Sequence, residues 1–96
     1  MQHRDIYQNL NYSELLLLPE WKNKRISILN RDNNKCRCCN STNNLEVHHR
    51  QYHISKLTQK KKLPWEYDTN YLITLCSSCH KKGHTIYTIK TYIINK

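Results

Sequence analysis

The chain has 96 residues, enough for one small domain and too few for a large buried core. Lys and Arg number 16 against 7 Asp and Glu, a net charge of +9 that suits a polyanionic partner and poorly fits a protein-docking module. Only 38% of residues are hydrophobic and Phe is absent, so the domain calls for a staple such as a bound metal.

The opening residues, Met1 to Asp5, are polar, and Leu15 to Leu18 form an apolar run too short for a signal-peptide core or a membrane span. The expectation is a cytoplasmic protein with no membrane partner. In a reducing compartment the five cysteines argue for metal over disulfides. Ile6, Leu10 and Leu17 fit a helical face only loosely, and Ser13 with Glu14 could start a short helical turn. One or two short helices covering the core are expected over residues 1–18.

Residues 19–31 read as a helix. Pro19 suits a first turn and Glu20 favours the helix N-terminus. Trp21, Ile28 and Leu29 fall on one inward stripe, while Lys22, Lys24, Arg25 and Arg31 form a basic side available to phosphates. Asp32-Asn33-Asn34 ends the helix in a turn.

Cys36-Arg37-Cys38-Cys39 follows. The two-residue gap between Cys36 and Cys39 lets both thiolates reach one tetrahedral zinc; Cys36 with Cys38 is the less usual pairing. Leu45-Glu46-Val47 alternates apolar and polar as a half-buried strand does, and it ends at His48-His49. Residues 50–66 read as one long connection carrying Arg50, Lys60, Lys61 and Lys62 toward a nucleic-acid backbone, with Trp65 pinning it to the core. His53 is a lone histidine with a structural or surface role. Tyr71 to Leu75 is β-rich and can pair with Leu45–Val47 as an antiparallel hairpin. A second two-residue gap separates Cys76 from Cys79, with a short helix starting near Ser77 or Ser78. His80 and His84, four residues apart, share one face of it. Thr85 to Lys96 reads as a strand or extended tail.

Cys36, Cys39, Cys76 and Cys79 together make a strong structural-zinc signal, since four thiolates close the shell. A redox pair is the weaker alternative, because there are two pairs and no βαβ pattern. Four histidines are then left for other work. Neighbours on a strand point to opposite faces, so His48 and His49 divide into one ligand and one base. The fold class is α+β: N-terminal helix or helices, a zinc-stapled hairpin and a metal-bearing helix.

Leu45-Glu46-Val47-His48-His49 followed by Leu72-Ile73-Thr74-Leu75-Cys76-Ser77-Ser78-Cys79-His80 and His84 resembles the HNH endonucleases with their ββα-metal fold and zinc-binding cysteine pairs. The likeness runs from about Trp21 to His84 and extends to small phage and bacterial members. It implies a single nuclease domain over 1–96, with a helical lead-in at 1–31, a zinc and catalytic core at 36–84 and an extension at 85–96. It implies a metal-dependent DNA endonuclease in a bacterial or phage-infected cell. Carried over residue by residue, His48 binds the catalytic metal, His49 is the general base, and His84 with His80 completes the ligand set. Arg25, Arg50, Lys60, Lys61 and Lys62 hold DNA. The central Asn of the catalytic set is displaced: Tyr71 occupies its position and Asn70 stands one residue early, so either Asn70 substitutes through a bulge and orients the loop that carries His49, or the role is lost or passes to Tyr71. Three imidazoles predict Zn²⁺, Ni²⁺ or Mn²⁺ in preference to Mg²⁺. Small nucleases often pair to cut both strands, which leaves room for a homodimer. The main alternative is a non-catalytic zinc-stapled DNA-binding module, which shares the cysteines and the charge but gives the histidines no task.

Overall fold

The computed structural model describes Tyr7, residues 9–86 and residues 89–95, with only the backbone given for 84–86. Ile6 therefore lies outside the described residues. Among the described residues three helices, α1 (Tyr12–Leu15), α2 (Pro19–Arg31) and α3 (Ser77–Ile86), combine with four strands, β1 (Leu45–His49), β2 (Tyr52–Ser55), β3 (Leu72–Cys76) and β4 (Thr91–Ile94). Turns of 3-10 helix at Pro64–Glu66 and Thr69–Tyr71 lead into β3. Among the described residues, no helix is long and apolar enough to cross a membrane.

The short α1 begins one step earlier than Ser13. Asn11 caps it: its side chain accepts the Glu14 N–H at 2.8 Å, and the Glu14 carboxylate accepts the Asn11 N–H at 3.0 Å. This reciprocal box satisfies two N–H groups that a helix end leaves open. Tyr7 donates to the Glu20 carboxylate, tying the lead-in to α2.

Helix α2 runs as the sequence implies, with Pro19 in its first turn and Trp21 and Ile28 buried. It stops at Asp32, where Asn33 and Asn34 take left-handed backbone angles (φ 58° and 54°). Asn tolerates that region better than most side chains. The Asn34 N–H returns to the Leu29 carbonyl at 2.8 Å and closes the helix end.

The core is small and aromatic. Trp21, Ile28, Tyr67 and Leu72 form its buried centre, with Val47, Tyr52, Trp65 and Tyr71 packed around it. Trp65 does pin the segment before β3 to this core.

The two sheets each have two strands. β1 and β3 are antiparallel, pairing Leu45 with Cys76, Val47 with Thr74 and His49 with Leu72. This is the expected hairpin pairing, although β1 extends through both histidines. β2 and β4 are parallel, Tyr52 against Thr91 through Ser55 against Ile94. Residues 50–66 are thus not one long connection: a strand stands in their middle. Its alternation is concealed because the inward positions are polar His53 and Ser55, while Tyr52 and Ile54 are only half-buried. The lysine-rich turn folds back beside it, with Ser55 N–H to Lys60 O at 2.9 Å and Lys62 N–H to His53 O at 2.9 Å.

Asp32 ties these parts together. Only 5% exposed, its carboxylate accepts from Arg31 (2.9 and 2.8 Å), from Arg37 (2.9 Å) and from the Thr74 backbone N–H (3.0 Å). Arg31 also donates to the Thr69 and Leu72 carbonyls, both at 2.7 Å, and so clamps the entry to β3. Burial would raise the Asp32 pKa, but these donors outweigh it and hold the carboxyl well below the usual carboxylate range.

Asp32→Ala is expected to lower the unfolding free energy by about 2–3 kcal/mol, the cost of orphaning the Thr74 N–H and dissolving charge-assisted bonds. Because the folded carboxyl titrates below the unfolded one, this contribution is complete above about pH 5 and fades as pH falls further. Urea melts of both proteins at several pH values near neutrality check it: the gap should be about 2–3 kcal/mol and independent of pH there, far above the range in which the carboxyl titrates.

Candidate metal centre and histidine cluster

The thiol atoms of Cys36, Cys39, Cys76 and Cys79 all lie within 4.8 Å of one another. Cys36 and Cys39 come from the turn after α2; Cys76 ends β3 and Cys79 stands in the first turn of α3. The turn is shaped by Asn40 at φ 66° and by the Asn40 N–H returning to the Cys36 carbonyl at 2.9 Å. It aims the Cys38 and Cys39 N–H groups at the Cys36 sulfur (3.4 and 3.5 Å). Arg37 N–H donates to the Thr74 carbonyl at 2.9 Å, docking the turn beside β3.

A tetrahedral thiolate shell with bonds of about 2.3 Å has sulfur–sulfur edges of about 3.8 Å. The Cys39 and Cys76 sulfurs stand 3.6 Å apart, close to that edge. Electrostatics points the same way. Burial would raise the Cys36 thiol, but N–H groups of Cys76, Cys39 and Cys38 bring it down to about 6. Cys79 is pushed up, first by its contact with Cys76 and then by Cys39. Four adjacent thiols cannot all ionise without a cation among them. The cluster could therefore hold a metal ion. Cys38, exposed, stays outside the set of four.

The histidines divide as strand alternation requires. Glu46 and His48 pair with Leu75 and Ile73, on the face of the hairpin away from the buried Leu72, Thr74 and Cys76. There the His48 ring meets the His80 ring edge-on, with centroids 3.7 Å apart. His80 Nδ1 lies 2.6 Å from a Glu46 carboxylate oxygen. A cavity of roughly 460 Å³ opens beside them, lined in part by Cys38, His48, His49, Arg50, Ile73 and His80. His84 lies one turn further along α3, but its side chain is outside the described residues.

His49 points the other way. It is 4% exposed, stacked on Trp21 (5.2 Å) and Tyr52 (5.5 Å), with Tyr67 edge-on at 4.8 Å. Its Nδ1 lies 3.1 Å from the Tyr12 hydroxyl and its Nε2 3.0 Å from the Pro64 carbonyl. Burial lowers its pKa; the Pro64 carbonyl opposes this and Lys61 adds to it. The structure thus brings His48 and His80 together and sets His49 in the aromatic core.

Asn70 is exposed within its 3-10 turn, its N–H directed to the Asp68 carboxylate at 3.4 Å. Tyr71 secures the chain after β1 instead: its carbonyl accepts the Arg50 N–H at 2.7 Å, and its ring meets His53 at 4.6 Å. His53 is buried, as a structural histidine would be.

Of the basic residues, Arg25 is half-buried and donates to the Leu45 carbonyl at 3.2 Å. Arg50 and Lys60 are exposed. The Lys61 ammonium lies over the Tyr52 ring (3.7 Å) and the Tyr12 ring (4.7 Å), and Lys62 lies 5.8 Å from the Tyr67 ring. Arg31, on the basic side of α2, is committed to Asp32 and the backbone.

Three residues escaped the reading of the sequence: Asp32, Glu46 and Tyr12. Glu46 could have been found, because a strand residue two before His48 shares its face. Asp32 and Tyr12 carry no local signal. Compared with known proteins, the chain matches no family model, no curated protein and no solved structure.

The chain should purify with one tightly held metal ion. Cys36→Ser or Cys76→Ser should lose both the ion and the folded circular-dichroism signal, and Cys38→Ser should keep both. Elemental analysis alongside far-UV spectra checks this; a metal-free variant that stays fully folded would contradict a structural role.

Proposed function

We propose that the chain is a metal-dependent DNA endonuclease of the HNH kind, with zinc in its four-thiolate centre. One observation carries the reading: the β1–β3 hairpin and the helix that follows it bring His48 against His80 on the face next to the thiol cluster. A structural ion is accounted for by the cysteines alone, so paired imidazoles beside a cavity have no need to serve it. The net charge of +9 supports a phosphate-bearing substrate.

In this reading His48 and His80, with His84 one turn along, would hold a second divalent ion. When bound, such an ion supplies a Lewis acid for the scissile phosphate and its departing oxygen. Imidazole donors favour Zn²⁺, Ni²⁺ or Mn²⁺ over Mg²⁺. Arg50, on the cavity rim, and Lys60 to Lys62 would neutralise flanking phosphates. His49 acts as general base only where a ring nitrogen exchanges its present partner, the Tyr12 hydroxyl or the Pro64 carbonyl, for water.

The burial of His49 favours a second reading: a zinc-stapled DNA-binding module in which that histidine is a core residue. The two differ on supercoiled plasmid. The nuclease reading expects nicking in Mn²⁺, Ni²⁺ or Zn²⁺ that is lost in His48→Ala and in His49→Gln, with the structural zinc retained in both. Absence of nicking with any divalent ion, while salt-sensitive DNA binding persists, would establish the module. In either case, removing Arg50 or Lys60 should lessen the slope of log affinity against log salt by about one per phosphate contact.

A further inference from the structure

We infer that Glu46 is a positioning residue: its carboxylate fixes the tautomer of His80 so that Nε2 is the nitrogen offered to a divalent cation shared with His48. The inference rests on the proposal that these histidines hold a second ion.

Two elements make the contact. β1 puts Glu46 two residues before His48 and therefore on the same face. α3 brings His80 over that face, 34 positions along the chain. The Glu46 oxygen and His80 Nδ1 are 2.6 Å apart, short enough for a charge-assisted hydrogen bond. A carboxylate only accepts, so Nδ1 carries the proton. The lone pair of a neutral His80 then sits on Nε2, the nitrogen across the ring.

The alternative is an ordinary surface ion pair. Glu46 is 47% exposed and His80 27% exposed by side chain, and pairs that open to water add little stability. A stabilising role explains neither why the acceptor is on Nδ1 nor why the same imidazole touches His48. A carboxylate bonded to the far nitrogen of a ligating histidine is, in contrast, a recurrent device: it selects the tautomer, holds the ring and makes the ligating nitrogen more basic. Glu46 is thus assigned to the cation and not to the fold.

Two measurements on the full chain with its thiolate centre loaded test this. Long-range ¹H–¹⁵N spectra read the His80 tautomer directly: the wild type should show the proton on Nδ1, and Glu46→Ala should shift it toward Nε2. Calorimetric titration with Ni²⁺ reads the site. His48→Ala should abolish binding of the second ion, Glu46→Ala should weaken it by roughly 10- to 100-fold, and Glu46→Gln, which keeps a neutral acceptor, should fall between. Thermal melts and the metal content of the thiolate centre should stay unchanged in all three. Wild-type affinity in Glu46→Ala, with binding still lost in His48→Ala, would overturn the role of Glu46 and leave the metal reading standing. Failure of the wild type to bind a second ion, or binding indifferent to His48, would overturn both.

Discussion

The fold depends on one buried carboxylate. The two halves of the thiol cluster are far apart in the chain, and nothing in either cysteine pair dictates where the other will be. Asp32 joins them. It draws in Arg31 at the end of α2, Arg37 inside the cysteine turn and the Thr74 N–H in the middle of β3. The Cys36 turn is thereby seated against the strand that ends in Cys76 before any ion is considered. A metal ion held by the four thiols would lock an approach that hydrogen bonding has already arranged. With a core centre of four side chains among the described residues, this ordering matters, since hydrophobic burial alone would leave the turn free to wander.

The same hairpin separates two functions that stand side by side in the sequence. Strand geometry sends consecutive side chains to opposite faces, so His48 faces α3 and its histidine while His49 joins Trp21, Tyr52 and Tyr67. Their chemical settings differ accordingly. His48 lines a cavity and touches a second imidazole. His49 is desolvated, sandwiched between aromatic rings and bonded at both nitrogens. Both residues line the same cavity, but the two rings of the doublet have different partners.

Much of this could be read from residue patterns. The α2 stripe, the pairing of Leu45–Val47 with the Leu-Ile-Thr-Leu run and the gathering of four cysteines rest on local periodicity and spacing, and each appears where its pattern put it. The misses have a common cause. β2 was concealed because His53 and Ser55, both polar, take its inward positions, so its alternation ran opposite to the hydrophobic one. Asp32 looked like part of a polar turn, and its partners lie up to 42 positions away. Tyr12 lies 37 positions from the histidine it covers. Arg25 donates to a backbone carbonyl and Arg31 to Asp32 and two carbonyls, contacts that only the tertiary fold reveals. For candidate sites the limit was the same: residue types were visible, but which ring nitrogen meets which oxygen was not.

The parallel pairing of β2 with β4 has a kinetic consequence. Parallel neighbours cannot be joined by a tight turn, so the chain must run through β3 and the whole of α3 before β4 can find its place. The helix that carries Cys79 thus lies within the span of chain that this pairing closes, and the greater sequence separation makes that seam slower to form than the antiparallel hairpin. During synthesis Cys36 and Cys39 emerge well ahead of Cys76 and Cys79, and β4 later still. The nascent protein would pass through a stage with half a thiol set exposed and its second sheet unmade. The thiol set that could hold a metal ion is thus complete only once Cys79, in the last third of the chain, has been made, and the strand that closes the second sheet follows it.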